Sequence, residues 1–304
     1  MKILTKASTM NHAALKTINV ALSVLVAMPA AADISPRRPV DPKGSFAKLT
    51  GQITQTGPSD GGFGNGFIVG ADGCHVLTNF HVAFGKSVDP KTGEVEMVDN
   101  TEVGHTVNFA FDLDASTGKF KTTLKAKVVE FGNYESGTSQ GFLGDMALLR
   151  LERCLGKDYG QLEIDRPPVE KRVASGKLMT VSSSRNKFGK NEVLVEEGCR
   201  ASTATSVTGM MLSNCESVPG MSGSMILEEG TDKKWRLAGI TTDRSKFADG
   251  TKVSQAIYAK VINKFLDGAL GETPLGPFAE QRTPQSDDQM AMVNTQSKAK
   301  TVVR

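Results

Sequence analysis

The sequence predicts an all-β protein, either a sandwich or a pair of β-barrels. Short runs of β-forming residues recur between positions 48 and 268, and Gly, Asp, Asn or Ser residues separate them. Short strands at such spacing, divided by turn residues, are typical of sandwiches and barrels. One helical pattern comes last, because apolar residues from Ala256 to Phe265 largely keep helical spacing until Gly268. The 304 residues suffice for two domains or one large β architecture.

Each predicted strand is an apolar or β-branched run between turn signals. In chain order these runs are Leu49–Thr56, Gly66–Val69, Val107–Phe111, Thr122–Val129, Met146–Leu151, Leu178–Ser182, Val193–Val195, Gly209–Leu212, Ser224–Leu227 and Arg236–Thr241. The glycine-rich segment Gly61–Gly70 enters the second run. It is not a nucleotide-binding loop, because another strand follows it rather than a helix.

The composition and the amino terminus narrow the class of protein. With 39% hydrophobic and 23% charged residues, the chain is neither collagen, a heptad coiled coil nor wholly disordered. Residues 1–32 contain three lysines and no acidic residue, then an apolar run, Ile18–Met28, and the triplet Ala30–Ala32. This pattern predicts a secretory signal peptide. The run is shorter than the about 20 residues that span a bilayer, so an uncleaved anchor is the lesser alternative.

Removal of that signal also changes the charge balance. The formal net charge of +3 falls to zero, because 33 basic and 33 acidic residues remain. We therefore expect no nucleic-acid partner. We divide the chain into a signal peptide (1–32), a lead-in or propeptide (33–47), an N-terminal barrel (48–160), a C-terminal barrel plus helix (161–268) and a polar, disordered tail (269–304).

Export makes disulfides the default for the four cysteines. Three connectivities are possible, and we favour Cys74–Cys154 with Cys199–Cys215, because each bond would then join residues of the same half of the chain. Four free thiols are the alternative. The cysteines are widely spaced and form no C-x-x-C pair, so we expect no metal site.

Three separated segments carry candidate chemistry. His81 follows a strand, Asp145 opens an apolar strand, and Ser222 lies in a turn flanked by glycines. A serine hydroxyl becomes nucleophilic when an imidazole takes its proton, and a carboxylate fixes the imidazole tautomer. Glycines beside the serine let backbone N–H groups converge on an oxyanion. The order His, Asp, Ser is the one found on double β-barrels.

These segments resemble those of the chymotrypsin-like serine peptidases. VLTNFHV resembles the histidine segment of that family, GDMALLRL its aspartate strand, and GMSGSMIL its nucleophile turn. The likeness covers about residues 45–267 and is nearest to bacterial glutamyl endopeptidases and periplasmic heat-shock proteases. It implies two six-stranded antiparallel barrels with the site in the cleft between them, and a closing C-terminal helix.

The resemblance also implies the roles of the residues. His81 would be the general base, Asp145 its orienting carboxylate and Ser222 the nucleophile, with the N–H groups of Gly220 and Ser222 forming the oxyanion hole. We expect polypeptide substrates, no cofactor, no membrane insertion after signal removal, and a monomer. The location would be periplasmic or secreted.

Two features depart from the family pattern. Met221 stands where the family usually has Asp or Asn, whose side chain supports the oxyanion loop. The interval between His81 and Asp145 is longer than is common, which predicts an inserted hairpin around Asp99–Lys121. This hairpin carries two further acidic residues, Asp112 and Asp114, as alternatives for the carboxylate role.

The resemblance suggests a substrate pocket. Glu216, six residues before Ser222, would lie at its base, and the strand containing Thr241 and Asp243 would form its wall. Thr241 stands where glutamyl endopeptidases carry a histidine, so a strict preference for Glu is not expected. Glu216 and Asp243 together would favour a Lys or Arg side chain. The alternative is that both are solvated loop acids.

Two other functions stay open. The first alternative is a catalytically silent protein of the same fold that binds periplasmic or surface partners, and Met221 is the feature that supports it. A quality-control protease is a third possibility, although only a short polar tail follows Leu270. An α/β-hydrolase is disfavoured, because His precedes Ser and helices do not alternate with strands.

Overall fold

The computed structural model describes residues 37–41, 43–44, 46–55, 64–70, 72–88, 95–97, 102–134, 141–156, 159, 162, 177–185, 189–203, 209–246 and 252–270. The predicted signal peptide and nearly all of the predicted tail lie outside these residues. In the described part of the chain, no helix is both long and apolar enough to cross a membrane.

The described residues form sixteen strands and two α-helices. The strands are β1 (Arg38–Pro39), β2 (Thr50–Gln55), β3 (Gly64–Val69), β4 (His75–Thr78), β5 (Lys86–Val88), β6 (Val95–Met97), β7 (Thr106–Asp114), β8 (Lys119–Phe131), β9 (Ala147–Leu151), β10 (Leu178–Arg185), β11 (Asn191–Cys199), β12 (Ala201–Thr203), β13 (Met210–Ser213), β14 (Met225–Glu229), β15 (Trp235–Lys246) and β16 (Lys252–Tyr258). The helices are α1 (Phe80–Phe84) and α2 (Ala259–Leu270), and short 3₁₀ turns cover Ala47–Leu49 and Gly141–Gly144.

The first half of the chain forms a closed barrel of six antiparallel strands, in the order β2-β3-β4-β9-β8-β7. Strand β7 shows why its sequence closes the barrel. Its alternate residues Val107, Phe109, Phe111 and Leu113 are buried, while the residues between them are partly exposed. This two-residue period directs one apolar face into the barrel. The expected all-β class and its six-stranded first barrel are confirmed.

The second half forms an eight-stranded antiparallel sheet, in the order β1-β11-β10-β14-β15-β16-β13-β12. It therefore has more strands than the six expected, and among the described strands its hydrogen-bonded order does not close. One edge strand, β1, comes from the lead-in: Arg38 pairs with Val195 and Pro39 with Leu194 of β11. The segment before the first barrel is thus part of the second sheet.

The expected inserted hairpin was placed wrongly. The segment Asp99–Lys121 contains all of β7 and the start of β8, which are barrel strands. Between His81 and Asp145, the described strands outside the barrel are β5 and β6, which form a two-stranded ribbon. The segment around 99–121 contains β-forming residues in either role, so its pattern could not distinguish a barrel strand from an insertion.

The limits of the last helix also differ from the prediction. Residues Ala256–Tyr258 end strand β16, and α2 starts at Ala259 and continues through Gly268 to Leu270. Strand β16 lies between β15 and β13, and Ala256, Ile257 and Tyr258 are all buried. A strand buried on both faces has no alternating pattern, and its residues were therefore counted with the helix.

Two disulfides join the four cysteines. The pairs are Cys74–Cys154 and Cys199–Cys215, the connectivity that the sequence favoured. The first bond lies within the closed barrel and the second within the eight-stranded sheet. Each half of the molecule therefore has its own covalent link.

Candidate active site

His81 lies in the short helix α1, directly after β4. The end of β4 pairs with the start of β9, where Thr78 lies opposite Ala147. Asp145, two residues before Ala147, is therefore brought beside the residues that follow β4. The Asn79 side chain strengthens this approach, since its Nδ2 donates to the Asp145 carbonyl at 2.8 Å.

The Asp145 carboxylate is 1% exposed and bonds to His81 through both the ring and the backbone. Its Oδ2 lies 2.8 Å and its Oδ1 3.0 Å from His81 Nδ1, and Oδ1 also accepts the His81 backbone N–H at 3.0 Å. An ionised carboxylate can only accept, so Nδ1 carries the hydrogen and Nε2 is left as the basic ring nitrogen.

The alternative carboxylates lie elsewhere. Asp112 and Asp114 are at the turn end of the β7–β8 hairpin. Asp114 accepts the Ser116 hydroxyl at 2.6 Å and its backbone N–H at 3.0 Å. These hydrogen bonds from Ser116 lower the pKa of Asp114. Of the three candidate carboxylates, Asp145 is the one that the structure brings to His81.

Ser222 lies in the turn between β13 and β14, and the peptide groups on either side of it are held. The Met221 carbonyl accepts the Ser224 N–H at 3.0 Å, and the Gly223 N–H donates to the Thr241 carbonyl at 2.8 Å. Because C=O and N–H point in opposite directions across a peptide, the first bond directs the Ser222 N–H away from Ser224. Among the described residues, this N–H has no acceptor.

Gly220 belongs to the turn that precedes the serine. The Met221 N–H donates to the Val218 carbonyl at 3.1 Å, and Gly220 has φ +88°. A positive φ at the third residue, after Pro219, is typical of a type II turn, and it sets the direction of the Gly220 N–H. Within the described residues, that N–H also has no acceptor.

The loop of Ser222 lies against helix α1. At Gly64 an added Cβ would clash with the Val82 side chain and lie 3.0 Å from the Ser222 carbonyl. Val82 is the residue after His81, so glycine at this point allows the two segments to approach. The Ser222 hydroxyl donates to the Thr242 carbonyl at 3.0 Å.

Comparison with known proteins identifies the family. Residues 64–240 match the model of the trypsin-like peptidase domain, which is more than half of the chain. The chain belongs to the trypsin-like peptidase family. It is accordingly a serine-type endopeptidase. No curated protein matches its sequence.

Two solved structures agree with the expected chymotrypsin-like fold. A Glu endopeptidase in complex with MPD is 15% identical, with 79% of this chain and 97% of that chain covered and a TM-score of 0.52. The serine endoprotease from Yersinia pestis is 14% identical, with 77% and 68% covered and a TM-score of 0.50. At these identities the likeness concerns the fold alone.

In this trypsin-like peptidase, Glu216 forms a charged cluster with Glu196 and with Arg37 of the lead-in. Its side chain is 61% exposed and lies 3.4 Å from Arg37. Arg37 also donates to the Glu216 carbonyl at 2.8 Å and lies 3.9 Å from Glu196. Burial raises the pKa of Glu196, while the backbone hydrogen bond from Glu216 and the charge of Arg37 act in the opposite direction. No pattern in the sequence indicated that Arg37 contacts Glu196 and Glu216.

The other two predicted pocket residues differ in exposure. Thr241 is fully buried, and in the described part of the chain its hydroxyl has no hydrogen-bond partner. Its backbone is bonded to Gly223 and Ser224. Asp243 is exposed, and its carboxylate accepts the Arg244 N–H at 2.7 Å. Thr241 is therefore in direct contact with the serine loop of the peptidase, whereas Asp243 is at the surface.

Asn65 was not among the residues that the sequence predicted for the site. This fully buried residue of β3 donates from Nδ2 to the Gly220 carbonyl at 2.6 Å. Its backbone N–H donates to the Ser222 carbonyl at 2.7 Å. The one available signal was its place between two glycines, Gly64 and Gly66, which indicated a close approach but not a partner.

The side chain of Met221 takes part in the loop that it belongs to. Its side chain is buried, and its Sδ accepts the Val218 N–H at 3.5 Å. The thioether thus makes a weak hydrogen bond within the loop, in place of the stronger bonds of a carboxylate or amide.

One set of possible metal ligands occurs among the described residues: Asp72, Cys74 and Cys154. Both cysteines are joined in a disulfide, so neither offers a thiolate. The Asp72 carboxylate accepts the Cys74 N–H at 3.0 Å, which is a local turn contact. These residues do not form a metal site.

Proposed function

We propose that the chain hydrolyses peptide bonds through a triad of His81, Asp145 and Ser222 and an acyl-enzyme intermediate. The observation that carries this proposal is the buried Asp145 carboxylate, whose Oδ2 lies 2.8 Å from Nδ1 of His81. The same contact assigns the remaining ring nitrogen, Nε2, to proton transfer.

In the first half of the reaction, the Ser222 hydroxyl turns from the Thr242 carbonyl to His81. Ser222 Oγ attacks the scissile carbonyl carbon while its proton passes to Nε2 of His81. The carbonyl oxygen becomes an oxyanion that accepts from the N–H groups of Gly220 and Ser222. Asp145 stabilises the imidazolium without taking the proton.

The C–N bond then breaks, and the leaving amine takes the proton from His81 Nε2. This leaves the acyl group on Ser222 Oγ. In the second half, His81 takes a proton from water, which attacks the ester carbon, and the ester bond breaks as the proton returns to Oγ.

Labelling by a fluorophosphonate probe tests this function. We expect the wild-type protein to be labelled on Ser222, and Ser222→Ala to lose labelling and to lower kcat on the order of 10⁶-fold. Ser224→Ala is a matched control, since Ser224 is buried two residues away and lies outside the triad. It should keep both labelling and turnover, and thermal unfolding of Ser222→Ala should be close to that of the wild type.

Peptide cleavage that persists in purified Ser222→Ala would contradict the proposed mechanism. A wild-type protein that is folded but unlabelled, with His81 and Asp145 intact, would favour the silent binding protein. The two results are separated by the same set of three proteins.

Export to the periplasm or the medium is a second part of the proposal. Two disulfides among the described residues fit an oxidising compartment. N-terminal sequencing of the exported protein should give a start near Asp33. The pairing of β1 with β11 favours retention of Arg38 and Pro39, so a start after Phe46 is not expected. A start at Met1 would contradict export by the predicted signal.

The proposed pocket consists of Glu216, Thr241 and Asp243 and prefers Lys or Arg at the P1 position. Arg37 already lies 3.4 Å from Glu216, so we expect the preference to be modest. A peptide library varied at P1 measures it. Higher kcat/KM for Glu or for bulky apolar residues would contradict the assignment.

A further inference from the structure

Asn65 is held at all four of its polar groups. Besides its bonds to Gly220 and Ser222, its Oδ1 accepts the Ser183 N–H at 2.5 Å and its carbonyl accepts the Thr78 hydroxyl at 2.6 Å. The side chain therefore has one conformation, and its amide nitrogen and oxygen are assigned by their partners, because a backbone carbonyl can only accept and a backbone N–H can only donate.

Three of these four bonds cross between the two halves of the molecule, and the bond from Thr78 lies within the closed barrel. Asn65 and Thr78 belong to the closed barrel, whereas Ser183, Gly220 and Ser222 belong to the second half. Asn65 of the barrel thereby hydrogen-bonds to the loop of Ser222 on both sides of Met221, at Gly220 and at Ser222 itself. Glycine at position 223 allows this close approach, since an added Cβ there would clash with the Asn65 carbonyl.

These hydrogen bonds fix the direction of the peptide groups from Gly220 to Gly223. Asn65 holds the carbonyl of the peptide between Gly220 and Met221, and the carbonyl of the peptide between Ser222 and Gly223. The peptide between them is held by Ser224. With these three peptides fixed, the N–H of Ser222 has one direction.

We infer that Asn65 is the positioning residue of the oxyanion loop, and that from the opposite barrel it supplies the support that Met221 provides only weakly. This inference rests on the proposed peptidase function. Asn65 touches no reacting atom and acts through the N–H group of Ser222. Its loss should therefore weaken stabilisation of the oxyanion more than it weakens ground-state binding of the peptide.

The test is Asn65→Asp, which keeps the shape and the acceptor for Ser183 but replaces the donor to Gly220 by a carboxylate oxygen. We expect kcat to fall about 10²–10³-fold, as for loss of one oxyanion donor, with KM nearly unchanged. The affinity for a peptide aldehyde, whose hemiacetal oxygen lies at the oxyanion position, should fall by a similar factor. The affinity for the cleaved peptide product should not change.

Gln52→Glu is the matched control. Gln52 is the cross-strand neighbour of Asn65, is also buried, and also donates to the second half, to Asn191 Oδ1 at 3.1 Å. The same change of amide to carboxylate should affect stability in a similar way but leave kcat and aldehyde affinity near wild type. If Asn65→Asp does not fold, Asn65→Ser removes the reach to Gly220 without adding a charge, and the same pattern is expected.

The outcomes separate the two proposals. Wild-type protein that neither labels nor hydrolyses refutes the peptidase function, and the role of Asn65 with it. Active wild type with unchanged kcat in both Asn65 variants refutes the inference alone. Equal losses in kcat and in product affinity, or the same losses in Gln52→Glu, would show a general structural role and would also overturn it.

Discussion

At the scale of single residues, the loop of Ser222 is held by a hydrogen bond within the loop and by hydrogen bonds from the closed barrel. The internal contribution is the bond from the Val218 N–H to Met221 Sδ, and the external one is the Asn65 amide on Gly220. A thioether is a weak acceptor, whereas the amide bond is short and fully buried. Met221 should therefore matter mainly through packing, because its side chain is buried in the loop.

This difference can be measured at Met221. Met221→Leu keeps the volume and loses only the sulfur acceptor, so we expect a cost below about 1.5 kcal/mol and kcat within a few-fold of wild type. Met221→Ala leaves a cavity and should cost about 2–5 kcal/mol. Urea denaturation and peptide hydrolysis measure both. A loss of kcat in Met221→Leu as large as that in Asn65→Asp would show that the thioether bond is a main support.

Residues of a local motif could be predicted, and residues with distant partners could not. His81, Asp145 and Ser222 each stand in a recognisable run of neighbours. Asn65 bonds to Ser183 and Gly220, which are 118 and 155 positions away. Its partners are backbone groups, which every residue carries, so no side-chain pattern in the sequence marks them.

At the scale of elements, the lead-in strand β1 changes how the pocket is understood. It adds an edge strand to β11 and places Arg37 beside Glu196 and Glu216. The sequence indicated an extended segment here but not the sheet that it joins. Strand type follows from local pattern, whereas strand partners depend on the packing of the whole chain.

The buried carboxyl of this cluster gives a pH-dependent prediction. Burial raises the pKa of Glu196 above its usual value, so ionisation of Glu196 is harder in the folded than in the unfolded state. Ionisation of Glu196 therefore lowers the free energy of unfolding. This loss is absent below the usual pKa of a glutamate, and it grows as the pH rises through the raised pKa of the folded state. We expect Glu196→Gln to gain stability relative to wild type between pH 4 and pH 7, as measured by urea denaturation.

Glu197→Gln is the control for this prediction, because Glu197 is the exposed neighbour that pairs with Arg38 at 3.0 Å. It should show no such gain. If wild type instead becomes more stable than Glu196→Gln as pH rises, then Arg37 and the Glu216 N–H outweigh the burial of the carboxylate.

At the scale of the whole molecule, each half has its own disulfide, and the candidate site lies where the halves meet. His81 and Asp145 come from the closed barrel, and Ser222 comes from the second half. Non-covalent bonds of Asn65 and Gln52 join the two halves, and those of Asn65 reach the loop of Ser222. Covalent stability and site geometry are therefore supplied by different contacts.

For this reason we expect the disulfide that contributes more to stability to contribute less to activity. Cys74 and Cys154 are 80 residues apart, and Cys199 and Cys215 are 16 apart. The entropy of loop closure in the unfolded chain predicts losses of about 4.5 and about 3 kcal/mol on removal of each bond. Cys215, however, precedes Glu216, whose N–H is held by the Glu196 carboxylate in the pocket half.

We therefore expect the paired Ala variant of Cys74 and Cys154 to lose more stability in urea denaturation but to keep its kcat/KM while folded. The paired Ala variant of Cys199 and Cys215 should lose less stability and more kcat/KM, because the segment from Cys215 to Ser222 would be freed at one end. The same order for both measurements would mean that the second disulfide does not fix this segment. In that case the contacts of Asn65 and Glu196 would be sufficient to hold the serine loop.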